Sequence, residues 1–377
     1  MVVKPIPDAA EEAQRLARHI WQWQLKQEDG ALKSLPAERE LAERFGVSRH
    51  AVRRSLKLLE GEGRLVRLSR RASVPALGMP GGAPAIDKPC RCLNIILSTA
   101  LANEAVRWLV NDYMTGLNEA LDSLDLKTRH VVCRDEETDF ASLLWQQAPY
   151  REQACVVLGQ RLPALFTWLR ANGVPFALQN SYAYDGAGLP EHHGVFVNKM
   201  GGAFAGAQYL LGLGHRAIGY VGCALNTVGN TAVYDGYVAA LRVNGLEPRA
   251  EWRWPHGTDR LDQALGMVRE FLAERPLPTA FMTSNDCMAL ALCQVARERG
   301  LRVPDQLSVL GFNDQREAAL GEPPLSTLRV PRRELARQAV ILALTAATTP
   351  DHPFERRGLD CELIVRATTA PPVAALQ

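Results

Sequence analysis

The chain is 377 residues long and 47% hydrophobic, and 43 Lys and Arg against 41 Asp and Glu leave a net charge of +2. That length asks for about two or three domains, the composition supplies a globular core, and no run of about eighteen apolar residues is present to cross a membrane. The opening Met-Val-Val-Lys-Pro-Ile-Pro-Asp lacks an apolar leader, so the expected location is the cytoplasm.

Taken in chain order, the first informative stretch is 35–71, which reads as helix, tight turn, second helix and basic hairpin. Pro36 suits a first helical turn, and Leu41 and Phe45 repeat at helical spacing. Gly46 sits where a left-handed helix end is wanted, Val47 plugs the turn, and Ser48 is a good N-cap for the next helix. Val52, Leu56 and Leu59 form that helix's buried stripe. The opposite face carries Arg49, His50, Arg53, Arg54 and Lys57. A helix presented in this way reads base edges from its N-terminal residues, and an arginine fork matches two guanine acceptors. Arg49 and Arg53 are therefore the expected base contacts. Ser48 and the first helical N–H groups are expected on phosphate, and Arg39 on the flank. The plainer alternative is a solvated basic face. Against it, residues 35–75 hold 10 Lys and Arg and 5 Asp and Glu, leaving 33 and 36 elsewhere, a net of −3. A basic module on a mildly acidic body is an electrostatic footprint for DNA.

These residues carry a resemblance. Leu-Pro-Ala-Glu-Arg-Glu-Leu-Ala at 35–42, Gly-Val-Ser-Arg at 46–49, Val-Arg-Arg-Ser-Leu at 52–56 and Leu-Leu-Glu-Gly-Glu-Gly at 58–63 resemble the winged helix–turn–helix of the GntR family of bacterial transcription regulators over about 10–75. The resemblance implies that Arg39, Ser48, Arg49, His50 and Arg53 contact double-stranded operator DNA, with Arg54 on the same face. The hairpin from Leu65 to Val74 lacks the glycine on which the family's wing turns, which weakens the expectation for Ser69, Arg70 and Arg71.

The Pro/Gly-rich stretch from Pro75 to Pro89 reads as a linker. Just beyond it, Cys90 and Cys92 have the wrong gap for a zinc knuckle, and the eight cysteines are expected as reduced, mostly buried thiols with no metal and no cofactor. Beyond the linker, strands are expected at 93–97, 128–132, 154–158, 176–179, 194–197, 217–221, 251–254, 280–283 and 308–311. Helices are expected at 106–124, 140–147, 162–172, 201–213, 233–244, 261–274 and 288–299. His192 and His193 fall in a Pro/Gly-rich loop and are expected in solvent. The alternation argues for an α/β fold with parallel sheets covered on both faces, and so many strands argue for two sheets facing a cleft. Gly212-Leu-Gly-His-Arg closes a helix and opens a strand, the reverse of a phosphate-binding loop.

Six ordered motifs then carry a second resemblance: 212–221, Tyr234-Asp-Gly-Tyr, Thr279-Ala-Phe-Met-Thr-Ser-Asn-Asp, 300–314, Pro323-Pro-Leu-Ser-Thr-Leu and Glu362-Leu-Ile-Val-Arg. Residues 93–370 resemble the effector-binding core of the LacI/GalR family, which is similar to periplasmic sugar-binding proteins with two Rossmann-like sheets. The arabinose-repressor group joins a GntR-type head to such a core. The expected organisation is a winged head at 1–75, a linker at 76–92 and the core at 93–370. Its N-lobe is expected at about 93–196 and 330–349, its C-lobe at about 197–329 and 350–370.

In a two-lobed cleft, strand C-terminal tips present polar side chains to a small ligand. Ser98, Thr99, Asn180, Thr231, Asn285 and Asn313 are the candidates, with Phe312 as an apolar wall. Amides suit a sugar because they both donate and accept, although each candidate is also a residue type that favours turns and caps. By resemblance, Asn285 matches a ligand-contacting position, while Asn313 and Asn180 match positions where the family often has aspartate. Thr231 and Val233 stand where the family often has arginines, so the pocket is less ionic than its relatives'. The expectation is a homodimeric DNA-binding regulator, more often a repressor, controlled by a small molecule of carbohydrate type. The rivals are a solute-binding protein, a regulator whose core has lost its sugar, and an enzyme using Asp286 and Asp314 as a carboxylate pair. No nucleophile elbow, metal-spaced set or phosphate loop supports the last.

Overall fold

Among the described residues, the head consists of α1 (Ala9–Leu25), α2 (Glu38–Phe45), α3 (Arg49–Gly61) and an antiparallel hairpin of β1 (Leu65–Arg67) and β2 (Ser73–Pro75). The structure is a computed structural model that describes residues 9–25, 35–61, 65–67, 73–75, 90–98, 107–121, 126–134, 139–144, 152–158, 162–179, 192–225, 228–258, 260–273, 276–349 and 352–373. Leu16 and Ile20 of α1, Leu41 of α2, and Val52, Leu56 and Leu59 of α3 close on Leu65 in one apolar core. The Ser55 hydroxyl, buried in this core, donates to the Ala13 carbonyl at 2.9 Å and so pins α3 to α1. Trp23 meets Phe45 edge to face, and Arg44 lies over the same indole at 4.7 Å. Pro36 precedes the helix it was expected to open, because α2 takes Ala37 as its N-cap.

Among the described residues, the core holds two six-stranded sheets. The N-lobe sheet contains β3 (Cys92–Ser98), β4 (Lys127–Cys133), β5 (Gln153–Leu158), β6 (Phe176–Gln179), β7 (His193–Val197) and β13 (Arg356–Leu359), in the order β13-β7-β6-β5-β3-β4. All its pairs are parallel. The C-lobe sheet contains β8 (Ile218–Cys223), β9 (Arg253–Gly257), β10 (Ala280–Thr283), β11 (Ser308–Asn313), β12 (Ser326–Arg329) and β14 (Glu362–Ile364), in the order β14-β12-β11-β10-β8-β9. It is parallel except at its edge, where β14 runs antiparallel to β12. The N-lobe helices are α4 (Arg107–Leu121), α5 (Phe140–Leu143), α6 (Pro163–Ala171) and α12 (Arg332–Thr348). The C-lobe helices are α7 (Lys199–Gly212), α8 (Val228–Val243), α9 (Leu261–Leu272), α10 (Asp286–Glu298) and α11 (Arg316–Leu320).

Three differences from the sequence reading have physical causes. Residues 356–359, expected in the C-lobe, pair with β7 in the N-lobe sheet; the chain changes lobe only at 360–361. This edge strand is half exposed and begins with two arginines, a composition that masks a strand while protecting a sheet edge. Second, α8 begins at Val228 rather than near residue 233. The Thr-, Asn- and Gly-rich stretch has weak helix propensity, and packing overrides it: Gly229 and Val233 are both buried. Third, His193 is not in solvent but opens β7 at 4% exposure, where its Nδ1 accepts from the Glu355 N–H at 3.2 Å. Burial pulls its pKa down to about 4, with His352 adding to the effect.

None of the eight cysteines forms a disulfide, and six are buried. No helix of the described residues is long and apolar enough to cross a membrane.

Candidate DNA interface and interlobe cleft

The turn between α2 and α3 is built from local chemistry. Gly46 takes φ +63° and its N–H reaches back to the carbonyls of Ala42 and Glu43, an orientation that side chains with a Cβ resist. The Val47 N–H follows, onto Ala42 at 3.0 Å. Ser48 then caps α3, its Oγ accepting from the Ala51 N–H at 3.1 Å. With Val52, Leu56 and Leu59 buried, the helix has one orientation left, and Arg49, His50, Arg53 and Lys57 face outward. Arg54 is half buried, and its Nε lacks a hydrogen-bond partner among the described residues.

The arginines of this surface differ in their neighbours. Arg39 pairs with Glu43 one turn along α2 at 3.0 Å. Arg53 makes a two-pronged contact with Glu38 across the two helices, Nε–Oε1 at 3.2 Å and Nη2–Oε2 at 2.8 Å. That contact holds the guanidinium pKa above its ordinary value. Among the described residues no carboxylate pairs with Arg49. The Glu38–Arg53 pair was not legible in the sequence, since its partners are separated by 15 positions and meet only through the helix crossing. Ser69, Arg70 and Arg71 of the wing lie outside the described residues.

The cleft is defined by three passages of the chain between lobes. β7 leads through Asn198 into α7, β12 leads through Val330 and Pro331 into α12, and β13 leads through Asp360 and Cys361 into β14. Because β7 and β12 each run into the opposite lobe at their C-terminal ends, and most of their sheet neighbours are parallel to them, the C-terminal edges of both sheets meet at this junction. Asn198 ties two passages together, its Nδ2 donating to Asp360 at 2.8 Å. Arg332, 4% exposed at the start of α12, ties the lobes: Nη2 donates to the Asn313 carbonyl of β11 at 2.6 Å, and Nη1 lies 3.3 Å from Asp112 of α4.

The expected ligand positions fall differently around this junction. Asn313 is half buried, with φ at +109°, and Asp314 follows at +53°. This unusual backbone is clamped from several sides. Asp314 accepts from Arg329 and Arg366, both at 2.7 Å. Asp286 accepts from the Gln315 N–H at 2.6 Å and from the Thr327 hydroxyl at 2.5 Å. Gly311 makes room for that carboxylate, since a Cβ there would lie 2.3 Å from Asp286 Oδ1. Burial pushes the Asp286 pKa up to about 7, against the two hydrogen bonds that favour its charged form. The two aspartates are thus engaged in holding the β11–α11 connection.

Asn285 is the N-cap of α10: its Oδ1 accepts from the Met288 N–H at 2.8 Å, and its Nδ2 donates to the Thr258 carbonyl at 3.3 Å. Thr231 lies inside α8, not in a loop, and its hydroxyl donates to the Leu225 carbonyl at 3.4 Å. Ser98 ends β3 and is buried. Phe312 does not wall the cleft as expected; it has no exposed surface and packs in the core next to Gly202 of α7. The alternation of β11 accounts for this, since a residue whose strand neighbour turns toward the junction turns its own side chain into the sheet's packed face. Thr99 and Asn180 lie outside the described residues. Among those described, no group of three or more His, Cys, Asp or Glu is placed to hold a metal ion.

The arrangement defines a class: a winged head that presents a basic helix, joined to a two-lobed core of the periplasmic-binding type. Comparison with known proteins makes this particular. Residues 10–74 match the gntR family of bacterial regulatory proteins, and residues 207–369 match the periplasmic binding protein-like domain. The head is thus similar to gntR regulators, and part of the core to periplasmic binding protein-like domains. Among curated proteins it is similar to the HTH-type transcriptional repressor CytR of Escherichia coli (strain K12). The two are 31% identical over 222 residues, 57% of this chain and 62% of CytR. It is also similar to the repressor PurR of Mannheimia succiniciproducens, 28% identical over 177 residues, 47% of this chain and 53% of PurR. The chain thus matches between half and two thirds of the length of these relatives. Among solved structures, a transcriptional regulator CelR–cellobiose complex aligns with a TM-score of 0.60 at 21% identity, over 89% of this chain and all of the other. The transcription regulator GntR from Chromobacterium violaceum aligns with a TM-score of 0.58 at 25% identity, over 74% and 99%.

Proposed function

We propose that this chain is a sequence-specific DNA-binding transcription regulator of the bacterial cytoplasm, acting as a repressor in the manner of the relatives it resembles. Its function is binding, not catalysis. The observation that carries this reading is the capped α3, whose buried stripe leaves Arg49, His50, Arg53 and Lys57 on one outward face. Arg49 and Arg53 would read base edges, Ser48 and the helix N-terminus would hold phosphate, and Arg39, His50 and Arg54 would contact the flanks. Two heads on a two-fold homodimer would read a pseudo-palindromic operator.

The core would hold a small effector of carbohydrate type between its lobes, near Ser98, Thr99, Asn180, Thr231, Asn285 and Asn313, and its closure would alter operator affinity. The amide and hydroxyl character of these positions supports a neutral polyhydroxy ligand over a strongly ionic one. The test is selection of genomic fragments by the purified chain at physiological salt. Enrichment of one inverted-repeat sequence, lost in Arg49→Ala, is expected; retention of all fragments alike would end the reading. Added cellobiose and monosaccharides should then change the affinity for the selected site.

A further inference from the structure

Asp286 opens α10 directly after the Asn285 cap and has no exposed surface. Each of its side-chain oxygens takes one donor, Oδ2 the Gln315 N–H at 2.6 Å and Oδ1 the Thr327 hydroxyl at 2.5 Å. Among the described residues no cation lies within ion-pair reach of it. The arginines of this corner bond elsewhere: Arg329 and Arg366 to Asp314, each at 2.7 Å, and Arg332 to the Asn313 carbonyl. The charge of Asp314 is therefore matched twice, and that of Asp286 by no contact. The field of Arg332 and the start of α10 favour a charged Asp286, while Asp314 opposes it. Burial outweighs the favourable effects and holds the pKa of the group at about 7.

What this carboxylate holds is the joint between the lobes. Gln315 directly follows the Asn313–Asp314 pair, which stands at φ +109° and +53°. The Asn313 carbonyl accepts from Arg332 Nη2 at 2.6 Å, and Arg332 Nη1 lies 3.3 Å from Asp112 of the N-lobe. A proton taken from solvent has one place to settle on Asp286. Oδ2 faces an N–H, which cannot accept, whereas Oδ1 faces a hydroxyl, which both donates and accepts. The bond to Thr327 then reverses, with Oδ1–H donating to Oγ1, and the Gln315 bond stays. Loss of that proton leaves a buried charge that water must compensate. Conformations of the β11–α11 connection that keep Asp286 buried therefore bind the proton, and those that admit water release it.

We propose that Asp286 is a proton-operated latch on the tie between the lobes. With the proton on Oδ1, residues 313–315 stay closed and present the Asn313 carbonyl to Arg332; with the proton gone, they open and release it. The step falls near neutral pH, so the angle between the lobes responds to pH there. The latch belongs to the ligand-free core and operates whether or not the cleft takes a carbohydrate, so its failure and the failure of the effector reading are separate results.

The test follows hydrogen exchange of the full chain without ligand at about pH 6 and about pH 8, corrected for intrinsic catalysis by hydroxide, together with small-angle scattering. In the wild type the Gln315 amide is expected to lose about fivefold or more in protection at the higher pH, and the radius of gyration to rise. Both steps are expected to vanish in Asp286→Asn, which cannot titrate, and in Asp286→Ser, the second variant should the first not fold. In Arg332→Lys the exchange step is expected to remain and the scattering step to be lost. Unchanged Gln315 protection in the wild type overturns the proposal without recourse to a variant. The same step in wild type and Asp286 variant overturns it too, because the proton then sits on another group. An exchange step with no scattering step in the wild type confines the proton to residues 313–315 and overturns the link to the lobes.

Discussion

Arg53 is the residue at which the head's two tasks compete. Its fork is held by Glu38 in the free protein, yet the same fork is expected on a base edge. An exposed ion pair of this kind is weak and screened by salt, so DNA can displace it, and the carboxylate then stands near phosphate. Glu38→Gln should therefore raise affinity for random duplexes several-fold and narrow the ratio between operator and random DNA, as read by fluorescence anisotropy; an unchanged ratio would show that Glu38 is only a surface partner. Among the described residues Arg49 has no such carboxylate to release, and Arg49→Ala should cost about 1–3 kcal/mol in operator affinity, with relaxed preference at one base pair. Asp286 is a different case, because its environment acts on folding. Its pKa lies above the ordinary 3.8, at about 7. Between those values the folded chain keeps a proton that the unfolded chain has released. The stability it confers is complete below the lower value and is lost as pH rises through the upper one. Asp286→Asn keeps an acceptor for the Gln315 N–H and a donor for Thr327 while removing the titration. Its melting temperature should fall less than the wild type's between about pH 5 and about pH 8, with Asp314 and Arg332 left in place in both proteins.

At the scale of elements, the α2–α3 turn shows what a sequence can state unaided. Gly46, Val47 and Ser48 act through their own backbone and the next turn of helix, so the left-handed glycine and the serine cap are legible from adjacent letters. Gly46→Ala has open space for its methyl but must keep φ at +63°. It should destabilise the head by about 1–2 kcal/mol, read as a lower first transition in calorimetry with the core transition unmoved. Strands whose residues are buried, such as β5 and β10, were equally legible, because a run of three to five apolar residues between turn signals is too short for a buried helix and fits an inner strand. α12 was not delineated. It is buried on nearly all sides, between the N-lobe sheet and α4, so its sequence lacks the polar stripe that gives a helix its period. β13 failed for the opposite reason, as a charged edge that gains its identity only from β7 beside it. The cleft was legible as a set of strand tips, and its occupancy was not. Which amide caps a helix, as Asn285 does, and which is left without a partner, as Gln179 is among the described residues, depends on distances between segments far apart in the chain.

For the whole molecule, the proposed regulation requires that a change between two lobes reach a head that precedes them in the chain. The lobes are joined by three short passages and by the Arg332 guanidinium, which holds a C-lobe carbonyl with one nitrogen and faces an N-lobe carboxylate with the other. Asn313, whose carbonyl it holds, belongs to a connection kept in a left-handed conformation by Asp286, Arg329 and Arg366 acting around it. A ligand that seats at that tip and draws the lobes together would shift the N-lobe helices α4 and α12 relative to the C-lobe, and in a two-fold dimer such a shift changes the spacing of the heads. Coupling of this kind is typically about 1–3 kcal/mol, and it depends on the lobes moving as units. Lysine in place of Arg332 keeps the charge but has one nitrogen, so it can hold the carbonyl or face the carboxylate, not both. Arg332→Lys should therefore leave the head's intrinsic operator preference as it is, increase the radius of gyration of the ligand-free chain in small-angle scattering, and shrink the change in operator affinity that a bound effector produces. Wild-type scattering together with wild-type coupling would mean that the three passages alone set the angle between the lobes, and that Arg332 serves only to seat α12 on its own sheet.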